Sequence, residues 1–284
     1  MSGTLLVAHL VRRQEGVAAF ARFLTSYQRH PADCAHELVL LVKGFTGGAG
    51  WEPYQQLLEG VAHRRYVVPE EGFDLGAYRS FLPAASGSTV LFLNSHSEIL
   101  VDGWLGLMVR HAGPRRLVGA TASWESHHPN RMDERPAPRV GTLRRLRRAM
   151  AAFRMSWRAD HPLYLPFPNP SIRTNAFLVH PDLHHIIGAW PVPRSKEDCF
   201  ALESGCHGLS QTTIIGGGTL CLATADGRGI PPLGWPEAGV FRSEGQHNLI
   251  VSDNQTRYYA AANLAEKRAL GWGAWRNFHQ LGST

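Results

Sequence analysis

The residues with useful chemistry gather in four short stretches, and three of these close apolar runs. His9 and Arg12 sit at the end of residues 5–10 (LLVAHL), Lys43-Gly44 ends residues 37–42 (ELVLLV), and Asn94-Ser95-His96-Ser97 follows residues 89–93 (TVLFL). The fourth stretch, residues 195–218, carries Asp198 and Glu203 ahead of three consecutive glycines. Cationic and hydrogen-bonding side chains at strand ends suit an anionic ligand. Arg outnumbers Lys 26 to 3, and a guanidinium grips phosphate or carboxylate with two prongs. The net charge of +6 does not separate a nucleotide from a nucleic acid or an acidic lipid. The GxxxxGK[ST], GxGxxG, HExxH and GxSxG patterns are all absent, which removes the common phosphate-loop, dehydrogenase, metalloprotease and hydrolase signatures. Gly47-Gly48 and Gly216-Gly217-Gly218 lack those frames and read as turns.

Elements that position these stretches follow from periodicity. Strands are expected at residues 5–10, 37–42, 65–69, 89–93 and 116–120, with helices at 15–27, 53–62 and 104–111 between them. Strands that are apolar throughout and alternate with helices predict an α/β fold built on a mostly parallel sheet flanked by helices. Ligands of such sheets lie at the carboxyl ends of the strands, so the loops beginning at His9, Lys43 and Asn94 are the ones that matter. Strand character returns at residues 172–180 and 219–225, and a helical tail is expected from 256 to about 275. Residues 1–123 and 171–284 thus form two halves of one domain, with an Arg- and Pro-rich insertion, residues 124–170, between them. Inside it, Leu143, Leu146, Met150, Phe153 and Trp157 form one apolar helical stripe. Arg144, Arg145, Arg147, Arg148, Arg154 and Arg158 cover the other faces. Such a helix is either a packed surface element or one that touches the anionic lipid of a membrane surface or a phosphorylated acceptor.

A chain of 284 residues buries a core without staples. Its four scattered cysteines lack any CxxC pair, so disulfides and zinc ribbons are not expected and a cytoplasmic location is. The N-terminus reads as a buried first strand, not a leader, and no apolar stretch is long enough to span a bilayer.

Residues 90–105 (VLFLNSHSEILVDGWL) resemble the inverting family 2 glycosyltransferases of GT-A fold, in which an apolar strand leads to an acidic DxD motif and then to Gly-Trp-Leu. Asn94 and Gly103-Trp104-Leu105 match. Ser95, His96 and Ser97 stand in place of the DxD, whose carboxylates hold a divalent cation against the donor diphosphate. Residues 200–218 (FALESGCHGLSQTTIIGGG) resemble the acidic motif that supplies the general base, with Glu203 at the Glu position and Ser204 replacing Asp. The resemblance therefore implies Glu203 as base and Asp198 as its reserve. Residues 71–79 (EGFDLGAYR) resemble the segment after the third strand, where Asp74 and Tyr78 would face the nucleotide; Asp74 serves equally as a helix N-cap. His9 and Arg12 occupy the loop that grips the base. Lys43-Gly44-Phe45 replaces the family's Asp-Asp-Gly-Ser.

Toward the C-terminus, His247 lies where a late His meets the metal or diphosphate, and Arg242 would take up phosphate charge. Residues 253–256 (DNQT) are either a helix cap or a loop closing over the donor. Trp104, Arg173 and Asn175 are the acceptor-side candidates.

The resemblance implies transfer of a sugar from a nucleotide-sugar donor to a hydroxyl of a bacterial surface-glycan precursor or lipid-linked acceptor, with inversion. Arg12, Lys43, His96, Arg173 and His247 would stabilise the leaving diphosphate, which leaves dependence on Mn²⁺ or Mg²⁺ open and weaker than with an intact DxD. The alternative is a non-catalytic nucleotide- or glycan-binding protein that supports a partner enzyme. An RNA-binding role is set aside for want of any recognisable module. Oligomeric state is not legible in the sequence.

Overall fold

An eight-stranded sheet forms the frame, in the order β3-β2-β1-β4-β9-β6-β10-β11. The structure is a computed structural model and describes residues 4–128, 163–243 and 245–276. Its strands are β1 (Leu5–Arg12), β2 (Glu37–Lys43), β3 (Arg64–Val67), β4 (Thr89–Leu93), β5 (Glu98–Ile99), β6 (Arg116–Gly119), β7 (Ala122–Ser123), β8 (Ser171–Ile172), β9 (Ala176–Val179), β10 (Thr219–Ala223), β11 (Gly229–Ile230) and β12 (Val251–Ser252). Helices are α1 (Gly16–Arg29), α2 (Glu52–Leu57), α3 (Phe73–Phe81), α4 (Trp104–Val109), α5 (His184–Gly188), α6 (Lys196–Ser204), α7 (Leu209–Ile215), α8 (Asn254–Ala261) and α9 (Leu264–Trp275).

Continuous apolar runs become central strands because helices cover both faces. Along β1, Leu6, Ala8 and Leu10 enter one core with Tyr78 and Phe81 of α3. Val7 and Val11 enter the other, with Phe20, Phe23 and Leu24 of α1. The period of two fixes that division. The α/β class with a mostly parallel sheet is what the structure shows. Parallel pairing joins β3, β2, β1 and β4, and also β6 and β10.

Two strands run the other way. β9 is antiparallel to both β4 and β6, and β11 to β10. The single run expected at residues 172–180 is in fact β8, a turn at Arg173–Asn175, and β9. Strands from both sequence halves therefore share one sheet. The tail likewise divides, because Asn263 caps α9 by accepting from Glu266 N at 3.0 Å. α2 is shorter than expected and ends at Leu57. The helix expected over residues 143–158 lies outside the described residues. Among those described, no helix is long and apolar enough to cross a membrane.

The chain moves outward from β1 through β2 to β3 and then crosses to β4 on β1's other side. That reversal opens a crevice at the carboxyl ends of β1 and β4.

Candidate functional site

The crevice gathers charge. Arg12, the last residue of β1, places Nη1 3.3 Å from Glu15 Oε1 and 3.3 Å from Asp74 Oδ1. His96, in the turn after β4, places Nε2 3.3 Å from Glu15 Oε2. Asp74 sits in the first turn of α3 beyond the Gly72 N-cap position and makes no cap, so its partner is Arg12.

Lys43 ends β2 almost fully buried, and its Nζ donates to Glu71 O at 3.1 Å and Phe73 O at 2.6 Å. Burial pushes its ammonium pKa down, and Arg12 pushes the same way, against Asp74, Glu70 and Glu71. In this arrangement Lys43 braces the turn that starts α3 and lies behind the crevice. Asn94 also shapes backbone: its Oδ1 accepts from His96 N at 3.0 Å and Ser97 Oγ at 3.1 Å. Arg257 of α8 donates to His96 O at 3.1 Å and to Glu98 Oε2 at 3.2 Å, tying the same turn from above.

A second cluster lies beside it. A cavity of about 190 Å³ is lined by Ser123, Glu125, His127, Ser171, Arg173, Phe200, Glu203, Ser204, Arg242 and Gln255. Glu203, one residue from the end of α6, accepts from Thr174 N at 3.0 Å. Arg173 and Arg242 both approach Glu125 Oε2, with Nη1 at 3.8 and 3.4 Å. For Arg173 burial disfavours the charge, but Glu203, Glu125 and Asp253 outweigh it and raise the pKa. His127 and Phe200 stack at 4.8 Å between centroids.

Burial raises the Tyr78 hydroxyl pKa most, and the Asp74 and Glu203 carboxylates raise it further. Cys199 is pushed up to about 11 by burial, with Asp74 and Glu203 adding to it.

His9 is fully buried, its ring tilted by 39° against Phe23 at 3.6 Å between centroids, and neither ring nitrogen has a hydrogen-bond partner. Because β1 continues to Arg12, His9 lies inside the strand, on the α1 face with Val7 and Val11. Ser95 Oγ and Tyr78 Oη are buried and unpartnered as well. Trp104 is completely buried, donating from Nε1 to His30 O at 3.2 Å, which takes its ring out of reach of an acceptor. Asn175 is buried and accepts at its carbonyl from Asn94 N, pinning the β4 turn. Asp198 is exposed and caps α6: its Oδ2 accepts from Arg194 N at 2.8 Å and Ser195 N at 3.1 Å. His247 is exposed and packs over Gly239, where a Cβ would fall 2.4 Å from its Cε1. Asp253 caps α8 through Gln255 N and Thr256 N, which decides the alternative for residues 253–256 in favour of a cap.

Glu15, Glu125, His127, Phe200, Gln255 and Arg257 belong to these clusters and were not anticipated. Glu15 had a signal, since it stands three residues after Arg12 and leads into α1. Glu125 had none; its partners come from distant parts of the chain.

The crevice does not fit a hard divalent cation. Its two carboxylates, Glu15 and Asp74, flank the Arg12 guanidinium, and the Asn94 oxygen already accepts two hydrogen bonds. Among the described residues no group of three or more His, Cys, Asp or Glu is arranged to hold a metal.

No protein-family model matches the chain, and no curated protein does. Solved structures overlap it in part. GalNAc-T7 with UDP, GalNAc and Mn²⁺ is 18% identical over 40% of this chain, TM-score 0.32. The glucosyl-3-phosphoglycerate synthase of Mycobacterium tuberculosis, with Mn²⁺, UDP and glucosyl-3-phosphoglycerate, is 20% identical over 42%, TM-score 0.32. A 4-diphosphocytidyl-2C-methyl-D-erythritol synthase from Anaerococcus prevotii is 11% identical over 70% of this chain and 83% of its own, TM-score 0.40. The chain spans only 22% and 43% of the first two proteins.

Proposed function

We propose that the chain transfers a sugar from a nucleotide-sugar donor to a hydroxyl, with the donor diphosphate in the crevice at Arg12 and His96 and the acceptor in the cavity beside Glu203. One observation carries this reading: Glu203 lines a small polar cavity, where its carboxylate is held by Thr174 N–H at 3.0 Å. A carboxylate there accepts the hydroxyl proton as the acceptor oxygen forms its bond to the anomeric carbon. The bond from that carbon to the diphosphate oxygen breaks in the same step, so the configuration inverts. Negative charge then grows on the leaving diphosphate, where the Arg12 guanidinium and the His96 ring stabilise it. Lys43 and Arg257 keep the α3 turn and the His96 turn in register. No step is routed through a metal.

A bacterial surface-glycan or lipid-linked acceptor, met at the cytoplasmic face of a membrane, fits the Arg-rich residues 143–158.

A second reading, a non-catalytic nucleotide- or glycan-binding protein, is favoured by the turn after β4. Its side chains are Ser95, His96 and Ser97, with no carboxylate, and Asn94 is engaged internally. Release of nucleoside diphosphate across a panel of nucleotide-sugars, with and without Mn²⁺, separates the two. Turnover supports transfer; binding of a nucleotide with no turnover under any condition supports the second reading.

A further inference from the structure

We infer that the cavity beside Glu203 selects an acceptor that bears a carboxylate, held between Arg173 and Arg242 where the Glu125 carboxylate now lies. This deepens the proposed function and rests on it for the word acceptor.

Both guanidiniums lie over one ring, Arg173 at 5.0 Å and Arg242 at 4.8 Å from the Phe241 centroid. Arg242 is braced further, since its backbone N donates to Gln246 Oε1 at 3.2 Å and its Nη2 to Gln255 Oε1 at 3.3 Å. The two cations therefore converge from fixed positions on a single oxygen, Glu125 Oε2. Glu125 itself belongs to no helix or strand; it follows β7 in irregular chain. A fixed pair of arginines facing a carboxylate on a loop is a receptor with a replaceable occupant. That occupant shows the shape that fits, a planar carboxylate approached by N–H donors from two sides.

Glu203 lines the same cavity and repels a second carboxylate, so an incoming hydroxy acid turns its acid end to the arginines and its hydroxyl end toward Glu203. The small cavity suits one acid-bearing unit of the acceptor, a sugar acid or a short hydroxy acid. Stacked His127 and Phe200 offer an apolar wall for one ring face.

Calorimetric binding of D-glucuronate, with D-glucose and inorganic phosphate as comparisons, tests this on the full chain without any donor. Wild type should bind glucuronate and not glucose. Glu125→Gln removes the competing charge and keeps the shape, so glucuronate should bind about tenfold tighter, the scale of one charge-assisted hydrogen bond. Arg173→Gln or Arg242→Gln placed on Glu125→Gln should return that gain. Weaker glucuronate binding in Glu125→Gln, or equal binding of glucose, overturns the assignment, and phosphate binding tighter than glucuronate overturns the carboxylate class. Because no turnover is measured, failure here is distinct from failure of the transfer reading.

Discussion

Lys43 Nζ donates a 2.6 Å hydrogen bond to the carbonyl of Phe73, a residue whose φ is +53°. Gly72 before it has φ +80°, and a Cβ there would stand 2.9 Å from Gly76 Cα. Two successive left-handed residues thus turn the chain into α3, and the buried ammonium holds the Glu71 and Phe73 carbonyls on either side of Gly72. The Arg12–Asp74 pair depends on that turn. Lys43→Met should cost about 2–3 kcal/mol in urea unfolding, because charged hydrogen bonds are lost and carbonyls are left buried. An unchanged unfolding midpoint would show that the turn stands without its brace.

Arg12 is the cation nearest the crevice carboxylates and, on the proposed function, anchors the donor diphosphate. Arg12→Gln should weaken binding of uridine or guanosine diphosphate by about tenfold or more, the worth of a charge-assisted contact. In wild type EDTA should leave that binding largely intact, because Glu15 and Asp74 already pair with Arg12. Binding abolished by EDTA and restored by Mn²⁺ would contradict this account of the crevice.

His9 makes stability depend on pH. Burial lowers its pKa from 6.5 to about 3. Below pH 6.5 the unfolded chain takes up a proton that the folded chain does not, so stability falls as pH drops. The slope is about 1.4 kcal/mol per pH unit down to about pH 3. His9→Met should flatten this component between pH 6.5 and 4.5. Urea unfolding at several pH values checks it, and equal slopes in both proteins would sink the assignment.

Asp198 is a cap. Asp198→Ala should cost about 1 kcal/mol of stability and leave turnover within about twofold, since the side chain serves the α6 N-terminus. A loss of turnover comparable to that of a Glu203 variant would make Asp198 the better base.

Much of the frame was legible because apolar runs that repeat through β1, β2 and β4 leave few alternatives to buried strands. Even the face of His9 was readable, since it shares parity with Val7 and Val11; the strand's true end at Arg12 was the missing fact. The break at Arg173–Asn175 had a local sign in its three polar residues, but β8 and β9 run in one direction along β6 and β7, so the apolar residues on either side still read as one strand. The break between α8 and α9 had a local sign, Asn263 three residues before Glu266. Lys43 and Asn94 were legible as strand-end polar residues, but whether such a side chain faces a ligand or binds its own backbone is decided by the turn it meets. Glu125 could not be found, because its meaning comes from Arg173 and Arg242 converging on it in the folded chain.

The central claim is that Glu203 removes the acceptor proton. Single-turnover and steady-state transfer by Glu203→Gln, measured beside nucleoside diphosphate affinity, tests it most directly. The variant keeps an acceptor for Thr174 N–H and loses only the basic carboxylate. Transfer should fall by about 10²–10⁴ while nucleotide affinity stays within a few-fold of wild type. Transfer at the wild-type rate would contradict the claim outright.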